Sequence, residues 1–229
     1  MHLQRVSKHF PKFMRNGTEK LVITIWHFYI ELVAKTSRIK FIGLEEIQPN
    51  RMIGFWHEDS YCVQLILRKL KKMGKMQDDK FDVIVTKERR GDYIADMIKK
   101  YGASPMRLPD GMEMRSFMKD LKQDSKKEGS TLVAAMDGPN GPYHKPKRLL
   151  FLLAHEAGKG FSYARFEKKG VMRLLWRWDK YRIPLPFTRM TCRIDYFGNI
   201  EQANLRSFDE YVAEHFQDIK EISQKEAED

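Results

Sequence analysis

Cysteine is scarce in this sequence, and several familiar motifs are missing. Cys62 and Cys192 are the only cysteines among 229 residues, which excludes a disulfide framework and a cysteine-rich zinc site. The seven histidines do not cluster at metal-ligand spacing, so we expect no bound metal. The glycine-rich loops of dinucleotide and nucleoside triphosphate sites are missing, as is the nucleophile turn of serine hydrolases. With the lysine-rich composition, these features favour a reduced, cytoplasmic protein.

The chain also lacks an apolar run long enough to cross a membrane. Its most apolar segment, residues 21–34, includes His27 and Glu31 and falls short of the roughly 20 apolar residues that a spanning helix needs. Glu31 also disfavours a signal peptide. Helical spacing predicts an N-terminal amphipathic helix within residues 1–36, apolar around much of its surface, with 37–229 as the main domain. Two interpretations stay open for this helix: docking at a membrane interface, and ordinary packing.

Positive charge is in excess. The sequence has 42 Lys and Arg against 31 Asp and Glu, a formal net charge of +11. This excess favours nucleic acid, anionic lipid or an acidic carrier protein as partner and does not choose among them. The aromatic residues cluster at 26–29 and 176–187, and no nucleic-acid-binding motif occurs. We therefore expect no nucleic-acid partner.

Strands and helices alternate along the middle of the chain. Strand patterns cover 51–56, 81–87, 103–108 and 130–136, with helical patterns at 60–74, 91–102 and 112–127. This order predicts an α/β fold with a largely parallel central sheet covered by helices. Further strands are predicted at 38–43, 161–167 and 191–197, and further helices at 147–158 and from Ser207. Residues 170–190, rich in aromatics and arginine with two spaced prolines, are predicted to be an irregular surface segment.

Polar side chains follow the predicted strands of the alternating region. They are His57, Glu58 and Asp59, then Lys87, Arg89 and Arg90, then Arg107, and finally Asp137. Because the carboxyl ends of parallel strands meet at one edge of a sheet, we expect a base, carboxylates and cations to converge there. Such a set suits a reaction on an anionic substrate.

His57 is the best candidate general base. A neutral imidazole titrates near physiological pH and accepts a proton from a hydroxyl. The alternative is a buried, hydrogen-bonded histidine beside Trp56. Glu58 or Asp59 is expected to orient the ring, although both are equally placed to cap the helix that begins near Ser60.

The other polar groups also have two interpretations. Lys87, Arg89 and Arg90 form either a phosphate site or a solvated loop. The D-G-P-N-G-P stretch at 137–142 has the composition of a strand-to-helix turn, and its two Gly-Pro pairs make it stiffer than most turns.

Several stretches together resemble a known family. They are FWHEDS (55–60), VTKERRGDYIADMIKKYGASPMR (85–107), LVAAMDGPNGPYHKPK (132–147), LLAHEAG (152–158) and RWDKYRIPLPFTRM (177–190). In order and spacing they are similar to a little-characterised bacterial branch of the lysophospholipid (glycerolipid) acyltransferase superfamily. The resemblance covers roughly residues 38–195, and its most specific blocks are Asp-Gly-Pro-x-Gly-Pro and the Trp-Asp block with its following prolines.

The resemblance implies acyl transfer from acyl-CoA or an acyl-carrier protein to the hydroxyl of a lipid acceptor, with no other cofactor. The enzyme would lie at an anionic membrane surface, on the cytoplasmic face of the cell membrane. His57 matches the family's general base. The matching substrate-binding positions are Asp137, Gly138 and Pro139 for the acceptor, Arg107 for its phosphate, and Lys87, Arg89 and Arg90 for acceptor or donor phosphates.

Two departures from the family pattern concern the surroundings of His57. The wider superfamily has an aspartate five positions after its histidine, where this chain has Cys62, and glycine often follows Trp-His, where this chain has Glu58. A thiol does not orient an imidazole as a carboxylate does, so Asp59 or Glu58 would have to substitute. These departures keep a non-catalytic lipid-binding relative open as an alternative.

Overall fold

The described strands of the protein lie in one sheet. A computed structural model describes residues 12–75, 81–86, 89–109 and 114–216. The strands in these ranges are β1 (Arg38–Ile42), β2 (Arg51–Phe55), β3 (Phe81–Thr86), β4 (Ser104–Leu108), β5 (Thr131–Ala135), β6 (Gly160–Arg173) and β7 (Arg182–Asn199). They form a seven-stranded sheet in the order β1-β7-β6-β2-β5-β3-β4. The four strands predicted between residues 51 and 136 agree within one residue at each end.

Five neighbouring strands share one direction. β6, β2, β5, β3 and β4 pair in parallel, whereas β7 is antiparallel to β6 and parallel to β1. The central strands β2 and β5 are buried along almost their whole length, as expected for parallel strands covered on both faces. The carboxyl ends of β2, β3, β4 and β5 therefore lie along one edge, as the sequence predicts.

Helices cover both faces of the sheet. They are α1 (Lys12–Thr36), α2 (Ser60–Lys72), α3 (Arg89–Lys100), α4 (Met114–Ser125), α5 (Arg148–Ala157), α6 (Gln202–Arg206) and α7 (Phe208–His215). One core cluster combines α1, α2 and α3 with one face of the sheet, and a second combines α4, α5, α6 and α7 with the other. Alternate residues of β5 divide between them, with Val133 in the first cluster and Leu132 and Ala134 in the second. The predicted α/β fold with a mostly parallel, helix-covered sheet is confirmed.

Residues 170–190 differ from the prediction of an irregular segment. They contain the end of β6, a turn at 174–181 and the beginning of β7, in which Val171, Met172 and Arg173 pair with Pro184, Ile183 and Arg182. Pro184 and Pro186 suggested a break because proline cannot donate to a sheet ladder. In the structure β1 pairs with β7 only over residues 189–193, so both prolines lie on an edge where no donor is needed.

Helix α1 is attached to the rest of the protein through polar contacts as well as its core residues. Arg68 on α2 forms two hydrogen bonds with the Glu31 carboxylate, at 2.6 and 2.8 Å. Trp26 Nε1 donates to Gln64 Oε1 at 3.2 Å, and Tyr29 OH donates to the Pro184 carbonyl at 2.5 Å. None of the helices within the described ranges is long and apolar enough to cross a membrane.

We expect Glu31→Gln to lower thermal stability at neutral pH but not in acid. Hydrogen bonding from Arg68 lowers the pKa of Glu31 more than burial raises it. A carboxyl with a depressed folded-state pKa contributes stability above its unfolded pKa and loses it as pH falls through the folded pKa. Because the side chain is 34% exposed, we expect a loss below about 1 kcal/mol. Thermal unfolding at neutral pH and at a pH below the depressed folded-state pKa of Glu31 measures this difference.

The matched control for this prediction is Glu128→Gln, which changes an exposed glutamate and should leave both melting temperatures unchanged. An equal loss of stability by Glu31→Gln at both pH values would show that the charge of Glu31 is not what holds α1.

Candidate active site

His57 and Asp137 occupy equivalent positions after two neighbouring parallel strands. Phe55 at the end of β2 is aligned with Ala135 at the end of β5, and each functional residue comes two positions later. Asp137 Oδ1 lies 3.1 Å from His57 Nδ1 and accepts a 3.2 Å hydrogen bond from the His57 backbone N–H. The strand register therefore brings together two residues that are 80 positions apart in sequence.

This contact determines which nitrogen of His57 is free. A carboxylate only accepts hydrogen bonds, so Nδ1 carries the proton and the lone pair of Nε2 is left for another donor. Asp137 is fully buried and its Oδ2 has no hydrogen-bond partner among the described residues, whereas 24% of the His57 side chain is exposed. With Nδ1 in contact with Asp137, Nε2 is the ring nitrogen that can accept a proton from a substrate hydroxyl.

Glu58 lies beside His57 in sequence, but its carboxylate contacts a different set of side chains. Tyr143 OH donates to Oε2 at 2.9 Å, His144 Nε2 lies 3.1 Å from Oε1, and Arg182 Nε lies 2.8 Å from Oε2. Burial and the charge of Glu58 raise the pKa of Tyr143, so its hydroxyl remains a donor. Glu58 thereby connects the turn after β2 with the loop after β5 and with β7.

Asp59 is buried at the position that precedes α2, and its side chain does not form a capping hydrogen bond there. Asp137, which the resemblance assigns to acceptor binding, contacts the His57 ring through its carboxylate. Cys62, five positions after His57, lies in α2, and its side chain is outside the described part of the structure.

The turn between β6 and β7 adds three residues that sequence reasoning did not select. The Trp178 ring meets the His57 ring edge to face, with centroids 5.3 Å apart. Asp179 is 1% exposed and accepts two hydrogen bonds from Arg177, at 2.8 and 2.5 Å. Burial tends to raise the pKa of Asp179, but Arg177 and the nearby His57 lower it overall. In the sequence, the Trp178-Asp179 pair within the aromatic-rich stretch is the feature that could have identified these residues.

Two glycines shape the loop after β5. Gly138 and Gly141 have left-handed backbone conformations, with φ of 69° and 68°. A Cβ at Gly141 would lie 2.6 Å from a ring carbon of Trp178, so glycine at this position lets Trp178 lie against the loop and reach His57. A Cβ at Gly138 would lie 3.4 Å from Lys147 Cγ, which places the Lys147 stem against the start of the loop.

Two cavities meet at His57. The first, which we call the sheet cavity, has a volume of about 200 Å³ and is lined mainly by apolar side chains of β3, β5 and α5, with Lys147 also in its wall. The second, the α1 cavity, has a volume of about 300 Å³ and lies between α1 and the β6–β7 turn. Both are lined by the same six residues at their junction: His57, Ser60, Gln64, Thr86, Ile94 and Pro139. Gly138 lines the sheet cavity.

Of the four predicted cations, the structure describes the side chain of one, Arg107, and it is not at His57. Arg107 lies on the edge strand β4, forms an ion pair with Asp92, and is absent from the described lining of both cavities. Lys87 lies outside the described residues. Arg89 and Arg90 form the first turn of α3, and their side chains are outside the described part. Within that part, the cations lining the cavities are Lys147 and Arg177.

Neither a metal-binding cluster nor a related protein assigns a function to this site. Over the ranges that the structure describes, no three His, Cys, Asp or Glu side chains are grouped so that they could hold a metal ion. No family model matches the chain, and no curated protein matches it significantly. A functional proposal for this chain therefore depends on its own residues and their geometry.

Proposed function

We propose that the protein is an acyltransferase that moves a fatty acyl chain from acyl-CoA or acyl-carrier protein to the hydroxyl of a lysophospholipid-type acceptor. The observation that carries this proposal is the His57–Asp137 pair at the junction of an apolar cavity with the α1 cavity. The sequence blocks that resemble glycerolipid acyltransferases include both residues. We further propose that the enzyme works as a peripheral protein on the cytoplasmic face of an anionic membrane.

The proposed reaction uses His57 as both base and acid. Nε2 takes the proton of the acceptor hydroxyl while the hydroxyl oxygen bonds to the carbonyl carbon of the thioester. The C–S bond of the tetrahedral intermediate then breaks, and the departing sulfur receives the proton from the imidazolium. The products are an ester and a free thiol. Asp137 holds the ring through Nδ1 and stabilises the imidazolium between the two steps.

The two cavities suggest how the substrates are arranged. The sheet cavity is apolar and begins at His57, which suits the acyl chain of the donor with its thioester carbon next to Nε2. The exposed ammonium of Lys147 in its wall is positioned to meet phosphates of CoA or of a carrier protein's prosthetic group. The α1 cavity, between the apolar helix α1 and the β6–β7 turn, suits a lipid acceptor that enters from a membrane.

We expect Val83→Phe to shift the enzyme toward shorter acyl donors. Val83 lines the sheet cavity three residues before Thr86, so it lies about 10 Å from the edge of the sheet where His57 is found. A phenyl ring there would fill the space for the distal methylenes. Discrimination of one methylene is typically about tenfold or more, so the ratio of kcat/KM for long-chain over short-chain donors should fall at least about tenfold.

The control for this prediction is Val212→Phe, which makes the same substitution at a buried position of α7 outside the described lining of both cavities. Both changes overpack a core, with a typical cost of about 1–3 kcal/mol. Only Val83→Phe should change chain-length preference. An equal chain-length preference in Val83→Phe and Val212→Phe would contradict the placement of the acyl chain in the sheet cavity.

The proposed function is tested by lipid profiling of a strain that lacks the protein, complemented with the wild-type chain or with His57→Ala. We expect the wild-type chain alone to restore the missing lipid, whose structure identifies the acceptor. Full restoration by His57→Ala would instead favour the alternative of a lipid-binding protein without catalysis.

A further inference from the structure

The exposed apolar side chains are concentrated in two segments. Among the described residues, each exposed large apolar side chain except Met73 and Tyr196 lies on α1 or between residues 172 and 187. We call residues 172–187 the hairpin tip. Its most exposed apolar side chains are Trp176 and Phe187, both 81% exposed, and Leu175, 68% exposed. Exposed apolar side chains concentrated in this way mark an interaction site.

Helix α1 and the hairpin tip belong to one surface. Tyr29 OH donates to the Pro184 carbonyl, and the Phe187 backbone N–H donates to Thr36 Oγ1 at 3.3 Å. Nearer the start of the helix, Val22, Ile23 and Trp26 face Leu174, Arg177 and Trp178 across the α1 cavity. Among the exposed apolar residues, Val22 of α1 and Trp178 of the hairpin tip line the cavity that leads to His57.

The side chains around this surface are basic. Arg173 and Arg189 are exposed at the two ends of the hairpin tip, and Lys35 and Arg38 are exposed next to the contact with Phe187. The only acidic residue between positions 170 and 190 is Asp179, which is buried and paired with Arg177. Tryptophan with flanking cations is the combination that anionic membrane interfaces select, because the ring lies at headgroup depth while the cations meet lipid phosphates.

We propose that the hairpin tip is a second membrane-inserting element, which docks together with α1 on an anionic bilayer. Trp176, Leu175 and Phe187 insert at the interface, and the α1 cavity then opens toward the lipid. This inference deepens the proposed function by naming the route of the acceptor. Docking itself requires no catalysis, so it can be tested independently of the acyl transfer.

The test is flotation of the full chain with vesicles of phosphatidylglycerol and phosphatidylcholine, compared with phosphatidylcholine alone. The double variant Trp176→Ser/Phe187→Ser should lower the partition coefficient on the anionic vesicles by at least about tenfold. Met73→Ser, which removes an exposed apolar side chain outside this surface, should bind as the wild type does. His57→Ala should also bind normally, so that failure of catalysis and failure of docking are distinguished.

Unchanged binding by the double variant would overturn the proposal, as would a wild-type chain that does not float with anionic vesicles. A wild-type dimer that the double variant converts to monomers, without a change in flotation, would show that a second copy covers this surface. Trp176→Phe provides a milder change that preserves folding. Lipids brominated near the headgroup should quench the tryptophan fluorescence of Trp176→Phe less than that of the wild type. Equal quenching in the two proteins would contradict insertion of Trp176.

Discussion

We expect His57→Ala to lower kcat for acyl transfer by a factor of roughly 10²–10⁴, the contribution of a positioned general base. The ring of His57 is partly exposed, and its described contacts are with Asp137 and Trp178, so the substitution removes little core packing. The melting temperature should therefore stay close to that of the wild type. The measurement is the initial rate with purified protein, an acyl thioester and a lysophospholipid.

The matched control is His155→Ala. His155 lies in the last turn of α5, where its Nδ1 is 2.8 Å from the Ile200 carbonyl oxygen, and it does not occur in the described lining of either cavity. We expect this variant to keep the wild-type rate, with any loss confined to stability. Equal turnover by His57→Ala and wild type would remove His57 from the mechanism.

Most of the sheet could be predicted from sequence because its signals are local. The short apolar runs at 51–56 and 130–136 and the helical periods between them are properties of short windows. The hairpin formed by β6 and β7 could not be predicted in the same way. Pro184 and Pro186 would be unfavourable in a strand that pairs on both sides. This part of β7 pairs on one side only, because β1 pairs with β7 only at residues 189–193. Strand order is a non-local property that no window contains.

The same limit applies to the candidate site. Sequence reasoning selected both His57 and Asp137, but their contact depends on β5 lying next to β2, which the order of elements along the chain does not give. Glu58 was the nearer carboxylate in sequence. Residues 57–59 form a 3₁₀ turn, in which successive side chains point about 120° apart. The Glu58 side chain therefore points away from the His57 ring even though the two residues are adjacent in sequence. Its described partners, at 143, 144 and 182, are all remote in sequence.

We expect Asp137→Asn to lower kcat by roughly 10²–10⁴ while the KM for the acceptor stays nearly unchanged. The amide oxygen of asparagine can still accept from the His57 backbone N–H and from Nδ1, so the ring is held in place. The negative charge is lost, and the imidazolium that forms when Nε2 takes the hydroxyl proton is no longer stabilised. Because the carboxylate is fully buried, its charge acts on the ring with little screening by water.

Steady-state kinetics with varied acceptor separate this role from direct binding. A raised acceptor KM with unchanged kcat and melting temperature would show that Asp137 contacts the acceptor, as the family resemblance implies, and would contradict the role inferred from its contact with Nδ1. The matched control is Asp195→Asn, which removes a carboxylate that accepts from Arg165 at 2.9 Å on the β6–β7 ladder. Asp195→Asn should leave kcat and the acceptor KM unchanged, because Arg165 lies outside the described lining of both cavities. A fall in kcat confined to Asp137→Asn would identify the buried carboxylate after β5 as the group that supports the His57 ring during the reaction.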